Sequence, residues 1–209
     1  MSIKQETLLT IIEQMQKNIE SNRSYLSDLD REIGDGDHGI NMDRGFKEVM
    51  KKKDVLATAD LSGVLKTTGM TLAFKVGGAS GPLYGTGFMK AADVAKGKEE
   101  LSLQDLPGLL EACIAGIQMR GKAERGEKTI LDTLIPAKEA LVKAIEAGMD
   151  TKEAFQKMLK AGEKGAEYTK TIKATKGRAS YLGDRSIGHM DPGAASALIL
   201  LRSIDEIIN

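Results

Sequence analysis

The chain has 209 residues, 41% of them hydrophobic, enough to bury one substantial core. Lys and Arg total 30 and Asp and Glu total 30, so no bulk charge grips nucleic acid or an anionic membrane, and 4% aromatics with no Trp offer no base-stacking platform. Cys113 is the only cysteine, which excludes an internal disulfide, and no apolar run approaches the length of a membrane span, so the expected location is the cytoplasm.

The first segment, MSIKQETLLTIIEQM, lacks the apolar stretch and small-residue cleavage site of a secretory signal. It places Leu8, Ile12, Met15 and Ile19 at alternating spacings of four and three, one stripe of a helix predicted over 3–24. The pattern then breaks in LDREIGDGDHGINMDRG, Leu29 to Gly45, which concentrates aspartates and glycines. Helices are predicted over 40–54 and 60–76, the second opened by Asp60 as N-cap. KVGGASGPLYGTG interrupts next, before helices over 82–96 and 104–121. MRGKAERGEKT leads into a helix over 129–147, and Asp150 with Glu153 forms a capping-box variant that starts 151–170. A long glycine-rich connection, KATKGRASYLGDRSIGHMDPGAAS, ends at Asp191 and Pro192, an N-cap and first-turn pair opening a helix over 192–208.

No alternating apolar–polar run argues for a strand, and no linker divides the chain. The expectation is a single all-α domain over residues 1–209, eight antiparallel up-and-down helices. The four glycine-rich connections follow the first, third, fifth and seventh helices. In an up-and-down bundle they meet at one end and form one composite site.

Familiar motifs fail there. Gly34 to Gly39 matches G-x-G-x-x-G, but no strand precedes it and its two aspartates would repel a bare pyrophosphate. Counted from Asp35, a calcium loop would put Phe46 where the bidentate glutamate belongs. Gly116 to Ala123 is one residue short of a P-loop and lacks its Ser/Thr. What remains is Asp30, Asp35 and Asp37, carboxylates without thiolates, which favour a hard cation and magnesium before zinc. Magnesium usually completes its shell with water and substrate phosphates, so the carboxylates point to a phosphate ligand. HGIN, directly after them, opens a helix whose free N–H groups suit an anion. VGGASG adds backbone N–H groups and the Ser80 hydroxyl before Pro82, a second cradle. Arg178 and Arg185 lie in a long loop like a lid, where arginine could neutralise phosphate and exclude water.

Four motifs, GDGDHG at Gly34–Gly39, GGASGPLYGT at Gly77–Thr86, RGKAERGEKT at Arg120–Thr129 and GRASYLGDRSIGHMDPGAAS at Gly177–Ser196, together resemble the nucleotide-binding L-subunit family of dihydroxyacetone kinases. They span nearly the whole chain in the right order. His38 favours this branch over the related fatty-acid-kinase type, which carries threonine there. The resemblance implies a barrel of eight helices with the nucleotide at one end, and two magnesium ions held by Asp30, Asp35 and Asp37. It implies ADP or ATP contacts from His38, Gly39, Ile40, Asn41, Ala79, Ser80, Gly121, Ile130, Arg178, Asp191, Pro192 and Gly193, with Arg178 also catalytic. Ile130 stands where methionine is common and Glu127 where aspartate is frequent.

In that family a histidine of a separate K subunit holds dihydroxyacetone, and this chain has only His38 and His189. His189 is expected to be structural, positioning the Asp191 cap. The resemblance therefore implies a phosphotransferase-system-dependent kinase in which an M subunit phosphorylates bound ADP from a phosphohistidine and the γ-phosphoryl passes to dihydroxyacetone on the K subunit. Three aspartates and roughly three negative charges on ADP exceed the charge of two magnesium ions, so helix N-termini and Arg178 would offset the rest. Two alternatives stay open: an ATP-dependent ketose kinase subunit with exchangeable ATP, and a regulatory module whose nucleotide state recruits a transcription regulator. Whether the chain forms a homodimer, and which face docks partners, is not legible in the sequence.

Overall fold

The computed structural model describes residues 1–209. Its helices are α1 (Gln5–Ser21), α2 (Arg23–Ile33), α3 (His38–Met50), α4 (Lys53–Ala57), α5 (Leu61–Lys75), α6 (Ser80–Ala95), α7 (Leu106–Gly121), α8 (Leu131–Glu146), α9 (Thr151–Tyr168) and α10 (Pro192–Ile208). The chain is all-α. Its one β contact is the antiparallel bridge of Ile3 and Leu101, which ties the N-terminus to the α6–α7 connection. No helix is long and apolar enough to cross a membrane.

Ten α-helices stand where eight were expected, for local reasons. At Asn22 both the backbone N–H and the side-chain amide donate to the Asn18 carbonyl, which ends α1. The chain then re-enters a helix at once, and α2 carries the Leu29–Ile33 stretch expected as loop. The 40–54 helix starts earlier, at His38, and breaks after Met50 before the short α4. Asp60, Asp150 and Asp191 all cap as expected, accepting from the N–H of Gly63, Glu153 and Ala194.

Setting aside α2 and α4, each long helix packs on the next and α10 returns to α1, so the neighbours close into a ring. That arrangement is compatible with the eight-helix barrel. The interior is one apolar cluster fed by every helix, including Ile12, Phe46, Leu72, Phe155 and Leu200. Its heart retains a space of about 140 Å³ walled only by hydrophobic residues. Every α10 residue from Pro192 to Leu201 is buried, so the Asp191 end is fixed by the core behind it. Between α9 and α10 the chain forms a strap, residues 172–189, with 3-10 turns over Arg178–Ser186. It packs through Ala174 and Ala179 on Ile33 of α2, a satellite of the main core.

Candidate functional site

The four glycine-rich connections line one cavity of about 460 Å³, within the range of small-molecule sites. Its acidic corner is built by α2 and the turn after it. The last turns of α2 present Asp30, and the 34–37 turn presents Asp35 and Asp37, each offering an oxygen within 4.8 Å of the others. Asp30 is clamped: its Oδ2 accepts the N–H groups of Asp37 (2.9 Å) and His38 (3.1 Å). Gly34 permits the tight turn, because a Cβ there would lie 2.1 Å from Asp30 Oδ1. Burial raises the Asp30 carboxyl above the ordinary value and its two acidic neighbours add to that, against the two N–H donors. Asp35 meets Arg178 of the strap at 2.9 Å. Three carboxylates with no nitrogen or sulfur donor among them suit a hard divalent cation.

His38 turns away from the carboxylates into a buried chain of hydrogen bonds. Its Nδ1 lies 3.1 Å from Ser80 Oγ, and its Nε2 lies 2.9 Å from Ser196 Oγ. Ser196 in turn meets the Tyr84 hydroxyl at 2.7 Å and donates to the Gly193 carbonyl. A neutral ring protonated at Nε2 satisfies both contacts, and burial pushes His38 down to about 4. One imidazole thus ties α3, α6 and α10 together directly below the cavity floor.

The N-termini of α3, α6, α8 and α10 all reach the lining, through His38, Ser80, Leu131 and Pro192. Each brings the fractional positive charge of its helix dipole to a region of high anionic density. Leu83, Ile117, Ala123, Ile130 and Leu131 give the α6–α8 side an apolar surface. Asp191 caps α10 from this wall, and burial pushes its carboxyl up to about 7.

Of the residues singled out in the sequence, Asp30, Asp35, Asp37, His38, Asn41, Ala79, Ser80, Gly121, Ile130, Arg178, Asp191, Pro192 and Gly193 line this one cavity. Gly39 and Ile40 do not. Gly39 lies where a Cβ would come 2.0 Å from the Arg23 carbonyl, so it serves helix packing, and Ile40 is partly exposed. Arg185 also stays out of the lining. The His189 side chain faces Glu32, Nδ1 3.6 Å from the carboxylate, and does not touch the Asp191 cap through any hydrogen bond.

Sequence reasoning missed Lys128, Tyr84 and Ser196. All three sit inside the four motifs, but nothing in their spacing distinguishes a buried polar hub from a solvated loop residue. Lys128 lines the cavity and is buried. Its φ of 62° is a left-handed conformation that a non-glycine residue seldom takes, and Asp132 holds the turn by accepting from Gly126 and Thr129 N–H.

The DAK2 domain family is matched over residues 32–206. The chain is 46% identical over 180 residues to the PEP-dependent dihydroxyacetone kinase ADP-binding subunit of Escherichia coli, covering 86% of each chain. It is 40% identical to the ADP-binding subunit of the PTS-dependent enzyme of Lactococcus lactis, covering 97% of each. It is also 35% identical to human triokinase/FMN cyclase, over 88% of this chain and 32% of that one. Among solved structures, the dihydroxyacetone kinase of C. freundii superposes with a TM-score of 0.72 at 23% identity, over 95% of this chain and 34% of that one. The likeness to that structure is one of fold. A second structure of that kinase, in complex with AMP-PNP and Mg2+, gives a TM-score of 0.69 at 24% identity.

Proposed function

The chain belongs to the DAK2 domain family, and from that membership we propose that it is the ADP-binding subunit of a dihydroxyacetone kinase driven by phosphoenolpyruvate, a phosphotransferase that acts within a multi-subunit complex. The observation that carries the reading is the meeting of three carboxylates, their oxygens within 4.8 Å of one another, with four helix N-termini around one cavity. Such a site takes a ligand that is anionic at one end and bound through divalent cations.

Asp30, Asp35 and Asp37 would hold magnesium, two ions in this reading, which when bound neutralises the diphosphate and the charge that develops during transfer. The protein's own part is positioning. Clamping by two backbone N–H groups keeps Asp30 aimed at the cavity before any ligand arrives. Ser80, Ala79 and the first turn of α3 offer donors to phosphate oxygens, and Asp191, Pro192 and Gly193 bring the start of α10 beside them. Leu83, Ile117 and Ile130 provide an apolar slot for the adenine. Arg178, on the strap beside Asp35, supplies positive charge where the transferred group passes and is the one catalytic side chain proposed.

ADP would remain bound as a cofactor. A partner M subunit would phosphorylate it from a phosphohistidine, and the γ-phosphoryl would pass to dihydroxyacetone held by a K subunit, since this chain has no further histidine to hold it. The test is to dialyse the purified protein extensively, denature it and assay the supernatant. Near-stoichiometric ADP supports the cofactor role. An empty site that turns over free ATP with a K-type partner replaces it with an exchanging kinase. Asp35→Asn is expected to abolish ADP retention and the formation of dihydroxyacetone phosphate together, and an unaffected reaction would remove the site assignment.

A further inference from the structure

Lys128 is the only lysine or arginine in the protein that is buried, at 1% exposure. Its ammonium donates to three backbone carbonyls: Thr169 (2.5 Å), His189 and, more weakly, Ile172 (3.5 Å). Those carbonyls bracket the strap. Thr169 directly follows α9, Ile172 opens the strap and His189 closes it. The two roots are also joined to each other, Gly188 N–H to the Lys170 carbonyl (2.7 Å) and Asp191 N–H to Thr169 Oγ1 (3.0 Å).

An ammonium has three N–H donors and no acceptor. Here all three have backbone partners, so none remains for a ligand although the side chain reaches the cavity wall. The Thr169 carbonyl lies at the C-terminal end of α9, where the helix dipole attracts a cation. Left without its carbonyls, a buried amine would carry a large desolvation cost. The amine and the strap roots therefore fix one another. The turn carrying Lys128 is held in its left-handed conformation by Asp132 from α8, so the anchor belongs to the bundle and the anchored part to the strap.

We propose that Lys128 is a positioning residue that staples both roots of the 172–189 strap to the bundle, thereby setting Arg178 over the carboxylates and Asp191 at the start of α10 without itself touching the ligand. The inference rests on the nucleotide reading only for the choice of ADP as probe.

Lys128→Met keeps the unbranched stem, one atom shorter, and removes the donors. Two readouts are expected to move together. Amide hydrogen exchange across 172–189 rises about tenfold or more while α1, α5 and α6 keep their protection. In magnesium buffer, dissociation of ADP speeds by roughly tenfold or more, with the association rate changed far less, as loosening of a pre-formed site acts on the off-rate. Lys128→Arg retains charge but offers a planar fork to three converging carbonyls, and it is expected not to restore either value. Faster ADP release with unchanged strap exchange would overturn the proposal, because Lys128 would then contact the ligand directly. Exchange that rises equally through the whole bundle would overturn it as well.

Should the variant fail to fold, the unaltered protein decides. Limited labelling with an amine-reactive N-hydroxysuccinimide ester, read by peptide mass spectrometry, is expected to leave Lys128 the slowest lysine with or without ADP. Labelling of Lys128 at the rate of Lys176 would sink the staple. If the protein binds no ADP at all, the nucleotide reading fails, yet strap exchange and labelling still decide the role of Lys128.

Discussion

The α2–α3 wall of the cavity and the strap that meets it carry charges of opposite sign and are held in different ways. The wall has the main core behind it: Asp30, His38 and Asn41 are buried on helices packed against that core, and each of these polar groups has an internal partner. The strap has little behind it. Arg178 and Tyr181 are mostly exposed, Tyr181 at 89%, and its own apolar anchors are Ala174 and Ala179. What fixes the strap is polar, with Lys128 at its roots and Ser186 accepting the Ala174 N–H inside it. A cation site needs carboxylates in place before the ion arrives, whereas a wall that admits a ligand of nucleotide size gains from being held chiefly at its roots, with light contacts along its length. The difference shows which side of a composite site tolerates change.

The largest effect is expected where the wall is tightest. In Gly39→Ala the new methyl would meet the Arg23 backbone carbonyl at 2.0 Å, an atom that cannot swing aside, so α2 must move from α3. A cost of about 3 kcal/mol in urea denaturation is expected, with weakened divalent-cation binding because Asp30 rides on α2. Unchanged stability would mean that the α2–α3 contact is looser than this separation requires.

Next is Ser196→Ala, which strips the buried chain of its middle member. His38 Nε2 and the Tyr84 hydroxyl both lose a partner in a site closed to solvent. Roughly 2 kcal/mol of stability is expected to go. Tyr84→Phe removes one end of the chain and leaves the His38–Ser196 bond, so it should cost about half as much. Equal costs for the two would show that the chain is not hierarchical.

These residues also mark the limit of what the sequence made legible. Helix starts at Asp60, Asp150 and Asp191 were readable because capping is local chemistry within three residues. That four loops share one end was readable from their order along an up-and-down bundle. Helix α2 was not, because Arg23–Ile33 is polar on average and its one apolar face merges with an acidic, glycine-rich stretch. Nor was the burial of Lys128, whose carbonyl partners lie 41 to 61 residues away along the chain. Gly39 was expected, through the family resemblance, as a nucleotide contact, and only its separation from Arg23 reveals packing.

On the strap side a glycine substitution should act differently. Gly177 has φ of 64° with no atom within 4 Å of where a methyl would sit, so Gly177→Ala meets backbone strain and no clash. A cost of about 1 kcal/mol is expected, confined to the strap. Hydrogen exchange should rise over 172–189 and global unfolding should barely shift. A loss of global stability as large as that of Gly39→Ala would erase the distinction between the two walls.

The smallest effect is expected far from both, at the start of α7, and it separates stability from the site. Asp105 Oδ2 accepts the N–H and the hydroxyl of Ser102, and its Oδ1 accepts from Lys98 at 2.8 Å. The Lys98 and Ser102 side chains, with the Ser102 N–H, hold its carboxyl down to about 2. Because the folded value lies below the unfolded one, near 3.8, the stabilisation is complete above about pH 4 and is lost as pH falls through about 2. Asp105→Asn keeps an acceptor and removes the charge, so roughly 0.5 kcal/mol should be lost at neutral pH, and the gap to the parent should close in acid. Gly121, at the other end of the same helix, lines the cavity, so any change transmitted along α7 would appear as weaker ADP retention. Retention that matches the parent while stability differs would place the far pole outside the site's energetics. Retention that falls with stability would instead make the cavity depend on the whole bundle, and the contrast between its two walls would then be only one of degree.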